Sequence, residues 1–118
     1  MTTQQIADKV TSLLRQGQFD AVYEDYFDTE NVRHLEPQSP FFPDLKGVKA
    51  LREKDAQMQA NIASIDGMEV GHPIIAKSHF ALPYKMAITL KDGNKMEMDE
   101  IIVYEVKNGK IILEQFFY

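Results

Sequence analysis

The chain contains no cysteine. Disulfides, thiolate nucleophiles and cysteine metal sites are therefore excluded. It also lacks any basic run, and its formal net charge is −5. Nucleic-acid recognition needs lysines and arginines gathered against phosphates, so no nucleic-acid partner is expected. An acidic balance equally disfavours anionic membranes. No apolar stretch approaches the roughly 20 residues that cross a bilayer. The opening Met-Thr-Thr-Gln-Gln shows no basic segment followed by an apolar run. No membrane association is expected, and a cytoplasmic location is the default. There is no glycine fingerprint for a dinucleotide and no Gly-x-Ser-x-Gly elbow. The three histidines, His34, His72 and His79, show no helical metal-ligand spacing. The reading therefore carries no metal and no cofactor.

What is present suits one domain over 1–118 with a real core. Thr2 and Gln5 form a capping box, and Ile6, Val10, Leu13 and Leu14 follow at helical spacing up to Gly17. A shorter helix is predicted over 19–26, with Phe19, Tyr23, Tyr26 and Phe27 as an aromatic stripe. A short strand over 31–36 would place Val32, His34 and Glu36 on one face. Pro37, Pro40 and Pro43 then forbid regular structure, and Phe41 and Phe42 in that loop need burial. A helix is predicted over 48–65, its stripe formed by Val48, Leu51, Met58, Ile62 and Ile65. Asp55 falls on the same stripe, beside Lys54.

After Gly67 every pattern is β. A strand is predicted over 68–77, with Pro73 marking an edge or bulge. Phe80, Leu82, Tyr84, Met86, Ile88 and Leu90 alternate cleanly. Lys91 to Asn94 make a turn, and Asn108-Gly109 is a strong hairpin signal. The last strand would run from Lys110 to Tyr118, with Ile111, Leu113 and Phe117 opposite Ile112, Phe116 and Tyr118. Both faces are apolar, so one of them calls for a partner subunit. Helices followed by long antiparallel strands give an α+β domain, with helices packed on one face of a sheet.

The strand MEMDEIIVYE raises the chemical question. With a period of two, Glu100 shares the apolar face with Met98, Ile102 and Tyr104. Glu97, Asp99 and Glu105 fall on the other. A carboxylate in that phase must be paired, hydrogen-bonded or protonated. Glu100 is therefore a candidate general acid or base, its pKa raised by apolar neighbours. The plainer reading is a glutamate at the pocket edge paired with a lysine. Glu114, between Ile112 and Phe116, could face the same pocket or a dimer seam, and its edge-like placement favours the plainer reading; His72 and His79 read as surface.

The element order, the hairpin IIVYEVKNGKI, the ending EQFFY and the opening QQIADKV…LLRQGQFDAVYEDYF resemble the SnoaL-like, polyketide-cyclase-like family. That family lies within the nuclear-transport-factor-like superfamily. The resemblance covers essentially the whole chain. It implies a cystatin-like cone, a curved and mainly antiparallel sheet wrapped around the N-terminal helices, with a pocket in its open end. It also implies a homodimer formed through the sheet. In such a cone His34 and Glu36 would meet Glu100 across the cavity as catalytic partners. Tyr23, Phe27, Leu51, Asp55, Met58, Phe80, Met86, Met98 and Phe116 would line it, and Phe41 and Phe42 would close it as a lid. The ligand expected is a small hydrophobic molecule. The chemistry expected is cofactor-free isomerisation, cyclisation or elimination; the alternative is a non-catalytic ligand-binding or protein-interaction module. Tyr23 or Tyr26 could serve an isomerase-type oxyanion pair, but no second acid is placed by sequence. An Asp-Arg-Asp relay of the epoxide-hydrolase type finds no inward arginine among Arg15, Arg33 and Arg52.

Overall fold

The structure, a computed structural model, describes residues 1–118. Helix α1 (Thr3–Arg15) begins where the capping box predicts. The Thr2 hydroxyl accepts from the Gln5 amide at 3.1 Å, and the Gln5 side chain accepts from the Thr2 amide at 2.9 Å. Two of the helix's orphan donors are satisfied in this way. Its buried stripe is Ile6, Ala7, Val10 and Leu14. Gly17, at φ +71°, turns the chain into α2 (Phe19–Tyr26). Strand β1 (Arg33–Leu35), strand β2 (Asp44–Lys46) and helix α3 (Val48–Asn61) follow. The remainder is β3 (Ile62–Val70), β4 (Ile74–Ile75), β5 (His79–Leu90), β6 (Lys95–Lys107) and β7 (Lys110–Phe117).

The seven strands make one mixed sheet in the order β2-β1-β7-β6-β5-β3, with β4 also paired to β5. Only β1 and β7 run parallel. Helix α1 packs across α2 and the β3–β5 side of the sheet, closing the core. Asn108 and Gly109, at φ 52° and 75°, make the β6–β7 turn that their sequence demands.

Several expectations are corrected. Helix α3 stops at Asn61, not at residue 65, and β3 starts at once with Ile62. Ile62 and Ile65 fit a helical stripe, but they are β-branched, and β5 pairs with them at Leu90 and Ile88 through a ladder with two register shifts. Asp66 is no helix stop; its carboxylate accepts from Ser64 and Thr89 and ties β3 to β5. The strand expected over 68–77 is accordingly split, with a break between Val70 and Ile74. The proline-rich segment is not wholly irregular, because β2 follows Pro43 directly. Phe41 is 80% exposed rather than buried, and it packs only loosely on Phe42, at 6.4 Å between ring centres.

The last correction concerns β7. The β6–β7 register slips between Glu105↔Leu113 and Val106↔Ile111, leaving Ile112 as the extra residue of a bulge. A bulge inverts face parity. Ile111 and Glu114 are therefore both buried, although three positions apart. Simple alternation had separated Ile111 from Phe116 and Glu114.

Gly71 sits where only a glycine fits. Its amide donates to the Pro83 carbonyl at 2.9 Å, and an added Cβ would lie 2.9 Å from Pro83 Cγ and 3.0 Å from its Cβ. A proline ring cannot swing aside. Gly71→Ala is expected to cost about 1–3 kcal/mol through forced backbone shifts. Urea denaturation checks this, and an unchanged midpoint refutes it.

Candidate functional site

The site follows from register. The parallel pairing of β1 with β7 sets His34 beside Glu114. The β6–β7 ladder sets Tyr104 beside Glu114, and the β5–β6 ladder sets Phe80 beside Tyr104. One row thus crosses four strands and forms a buried floor. Moving along β6 by twos, Ile102 pairs with Phe116, Glu100 with Tyr84 and Met98 with Met86. Exposure climbs along this path from 2% at Tyr104 to 47% at Met96, so the path runs from floor to mouth.

Helix α3 covers the sheet. Leu51, Lys54, Asp55 and Met58 occupy positions i, i+3, i+4 and i+7, which share one helical face. All four line a cavity of about 190 Å³. Tyr23 of α2 and Phe27 just after it close another wall. A cavity of about 150 Å³ holds benzene, so the space matches a molecule of one or two rings. The walls are mostly hydrophobic, and the polar groups are few and convergent, as in small-molecule sites.

Those polar groups form two sets. In the first, Glu114 Oε1 lies 2.8 Å from His34 Nδ1, and Lys54 Nζ lies 3.1 Å from His34 Nε2. Lys54 also donates to Glu36 at 3.4 Å, and the Tyr118 hydroxyl donates to the other Glu36 oxygen at 2.9 Å. His34, Lys54 and Glu114 are all buried. Burial works against a His34 imidazolium, but the hydrogen bonds to Glu114 and Glu36 outweigh it and raise its pKa. Burial likewise pushes Glu36 up, yet His34, Lys54 and Tyr118 together hold it below the ordinary carboxylate range. In the second set the Tyr23 hydroxyl donates to Asp55 at 2.6 Å. Burial raises the Asp55 pKa despite that bond and the nearby Lys54.

Glu100 belongs to neither set. No hydrogen bond or ion pair of the chain holds its carboxylate. Burial, and then the charge on Glu36, push its pKa up to about 7, against the opposing pull of Lys54 and His34. Tyr84, its cross-strand neighbour, is raised well beyond its ordinary value by burial and by the Glu100 charge.

The sequence of this chain matches the profile of the SnoaL-like domain over residues 1–118. The chain belongs to the SnoaL-like family. A candidate SnoaL-like polyketide cyclase from Mesorhizobium loti is 35% identical, with full coverage of both chains and a TM-score of 0.91. Another, from Jannaschia, is 10% identical at a TM-score of 0.79, covering 98% of this chain and 86% of that one. A protein of ketosteroid-isomerase-like fold from Catenulispora acidiphila, in complex with trimethylamine, is 13% identical at a TM-score of 0.73, covering 99% and 87%. The two distant ones speak for the fold alone. No curated protein sequence matches the chain.

Within this SnoaL-like cone, His34, Glu36 and Glu100 all face the one cavity. Tyr23, Phe27, Leu51, Asp55, Met58, Met86, Met98 and Phe116 line it too. Phe80 does not. It points inward as its phase requires, but it lies stacked on Tyr104 at 4.7 Å in the floor and touches no open space. Phe41 and Phe42 do not line the cavity either, so they form no lid over it in this structure. Two cavity side chains, Lys54 and Glu114, make more of its polar contacts than their sequence context suggests. Lys54 was legible, because it sits three residues after Leu51 and four before Met58. Glu114 was legible in part, because alternation sets it on the face of Phe116, but a strand apolar on both faces left the dimer seam as the alternative. No three histidine or carboxylate side chains converge as metal ligands.

Proposed function

We propose that this SnoaL-like protein is a cofactor-free proton-transfer enzyme, an isomerase, cyclase or lyase acting on a small hydrophobic ligand. Glu100 is the acid or base, and Glu36 and His34 set its charge. One observation carries the reading. Of the four carboxylates that line the cavity, Glu100 alone has no hydrogen-bond or ion-pair partner, and its pKa is pushed up to about 7. A general base works best when its pKa lies near the working pH. Tyr23 and Asp55 stand as hydrogen-bonding groups for charge that develops on the ligand.

A second reading is a binding or interaction module without turnover. It draws support from Glu36 and His34, whose hydrogen bonds are already occupied within the protein. A bicyclic ketone with acidic C–H bonds, 2-tetralone, separates the two. The enzymatic reading expects 2-tetralone to raise Tm and to exchange its α-protons in deuterated buffer, followed by NMR. Binding without exchange would favour the module; neither binding nor exchange would discard the pocket assignment.

We propose that the protein is a homodimer through the outer sheet face. Ile101 and Phe117 are cross-strand neighbours there and are 50% and 46% exposed. Sedimentation velocity is expected to give twice the monomer mass, and Ile101→Lys to halve it. A parent protein that sediments as a monomer at micromolar concentration overturns this.

A further inference from the structure

We propose that Lys54 is a nucleophilic amine that forms an imine with an aldehyde or ketone held in the cavity. The inference deepens the acid–base reading above, since it rests on the same cavity and names the substrate class.

The carrying observation is a contact between two nitrogens. Lys54 Nζ and His34 Nε2 are 3.1 Å apart, in a region where both residues are buried. Two N–H donors cannot face one another at that distance, so one nitrogen must offer a lone pair. The contact therefore holds a single proton. When the proton sits on His34, Lys54 is a free amine. His34 is built to hold it, because Nδ1 faces Glu114 at 2.8 Å and Nε2 lies 3.5 Å from Glu36. The imidazolium thus has a carboxylate on either side. An ion-pairing lysine has no need of a histidine as its closest partner; Glu36, at 3.4 Å, is the more distant contact. Nor is this lysine on the surface: it lines the cavity from the middle of α3, and its nitrogen stands 5.5 Å from the centre of the Phe116 ring. A lysine amine set beside another cationic group, here a His34 imidazolium, is one of the settings in which lysine serves as a carbonyl nucleophile.

The chemistry balances with groups already present. The Lys54 lone pair attacks the carbonyl carbon and the C–N bond forms. The surplus proton on nitrogen passes to the carbonyl oxygen through His34, giving a carbinolamine. The Glu100 carboxyl then gives its proton to the hydroxyl, which leaves as water while nitrogen's lone pair closes the C=N bond. Glu100 is left as a carboxylate beside a cationic iminium. That cation acidifies the adjacent C–H, and Glu100 takes its proton to give the enamine. One carboxyl therefore serves both steps, which requires a group able to hold and release a proton near neutrality.

The test uses the intact protein and 2-naphthaldehyde, which has no α-hydrogen and reports only on the amine. With sodium cyanoborohydride, hydride reduces any imine to a stable secondary amine. At limiting aldehyde, peptide mass mapping is expected to find the naphthylmethyl group on Lys54 at tenfold or greater preference over exposed Lys49 and Lys95. Labelling spread evenly over the lysines, or no label on Lys54, overturns the proposal. The two readings fail separately. Exchange of 2-tetralone with no adduct on Lys54 removes the imine and leaves proton transfer standing. An adduct on Lys54 with no exchange keeps the nucleophile and removes Glu100 as base.

Discussion

Glu100→Gln is expected to make the protein more stable above neutral pH while abolishing its proton-transfer activity. In the folded state Glu100 has a pKa of about 7, pushed there by burial and then by Glu36. Unfolded, it titrates in the ordinary carboxylate range. In acid below that range, both states are protonated and the group is neutral in its effect. As pH rises toward 7, the unfolded chain releases its proton while the folded chain keeps it, so stability falls. Above about 7 the folded carboxylate carries a constant penalty. Discounted for partial exposure, that penalty is about 2 kcal/mol. Glutamine keeps the shape and removes the charge. At pH 8 the variant should gain about 2 kcal/mol, or roughly 5–10 °C in Tm. At pH 4 it should match the parent. Exchange of 2-tetralone protons should fall about 10²–10⁴-fold at pH 8, the usual worth of a positioned base. Parallel Tm curves at both pH values, or exchange at the parent rate, would refute the assignment. A residue that costs stability and supports turnover fits the trade-off expected of a site selected for chemistry.

The same residue shows how far the sequence could be read. Period-two alternation placed Glu100 inward with Met98 and Ile102, and the ladders keep that phase unbroken along all of β5 and β6. Long, regular strands are legible because each residue repeats the same constraint. Legibility ended where tertiary structure decides between equal local choices. Ile62 and Ile65 suit a helix stripe as well as a strand, and only the pairing with β5 settles the matter. The Ile112 bulge is a second such place. It leaves the hydrophobic composition of β7 unchanged, yet it buries Ile111 on the same side as Glu114. Phe80 is a third. Its phase was read correctly, but distance along the cone decides between floor and wall, and β-alternation carries no information about depth. The exposed Phe41 marks the limit for loops, where an aromatic side chain need not find a core.

Glu114 should therefore give the largest stability effect of any polar substitution in the cavity. Glu114→Ala leaves His34 Nδ1 without its 2.8 Å partner, in a place where His34 is 1% exposed and water does not reach. Breaking one side of a buried pair typically costs about 3–5 kcal/mol, a large part of the roughly 5–15 kcal/mol that holds a domain folded. The cost should depend on pH. The folded pKa of His34 is raised, so its stabilising contribution is fully present below the unfolded histidine value and is lost as pH rises through the folded one. Without Glu114 that contribution disappears, and only Glu36, 3.5 Å from Nε2, is left to favour the imidazolium. The gap between variant and parent should be widest near pH 5 and narrower near pH 9, where only the lost hydrogen bond remains. Replacing both partners tests the cause. Glu114→Leu together with His34→Leu removes the stranded donor, and apolar pairs of similar size often match buried ion pairs in stability. The double variant is expected to recover about 1–3 kcal/mol of coupling relative to the sum of the single losses. Urea denaturation of the four proteins at both pH values decides it. Strictly additive losses would mean that Glu114 acts by filling space and not by holding the His34 proton, and the proton-sharing contact between His34 and Lys54 would lose its anchor.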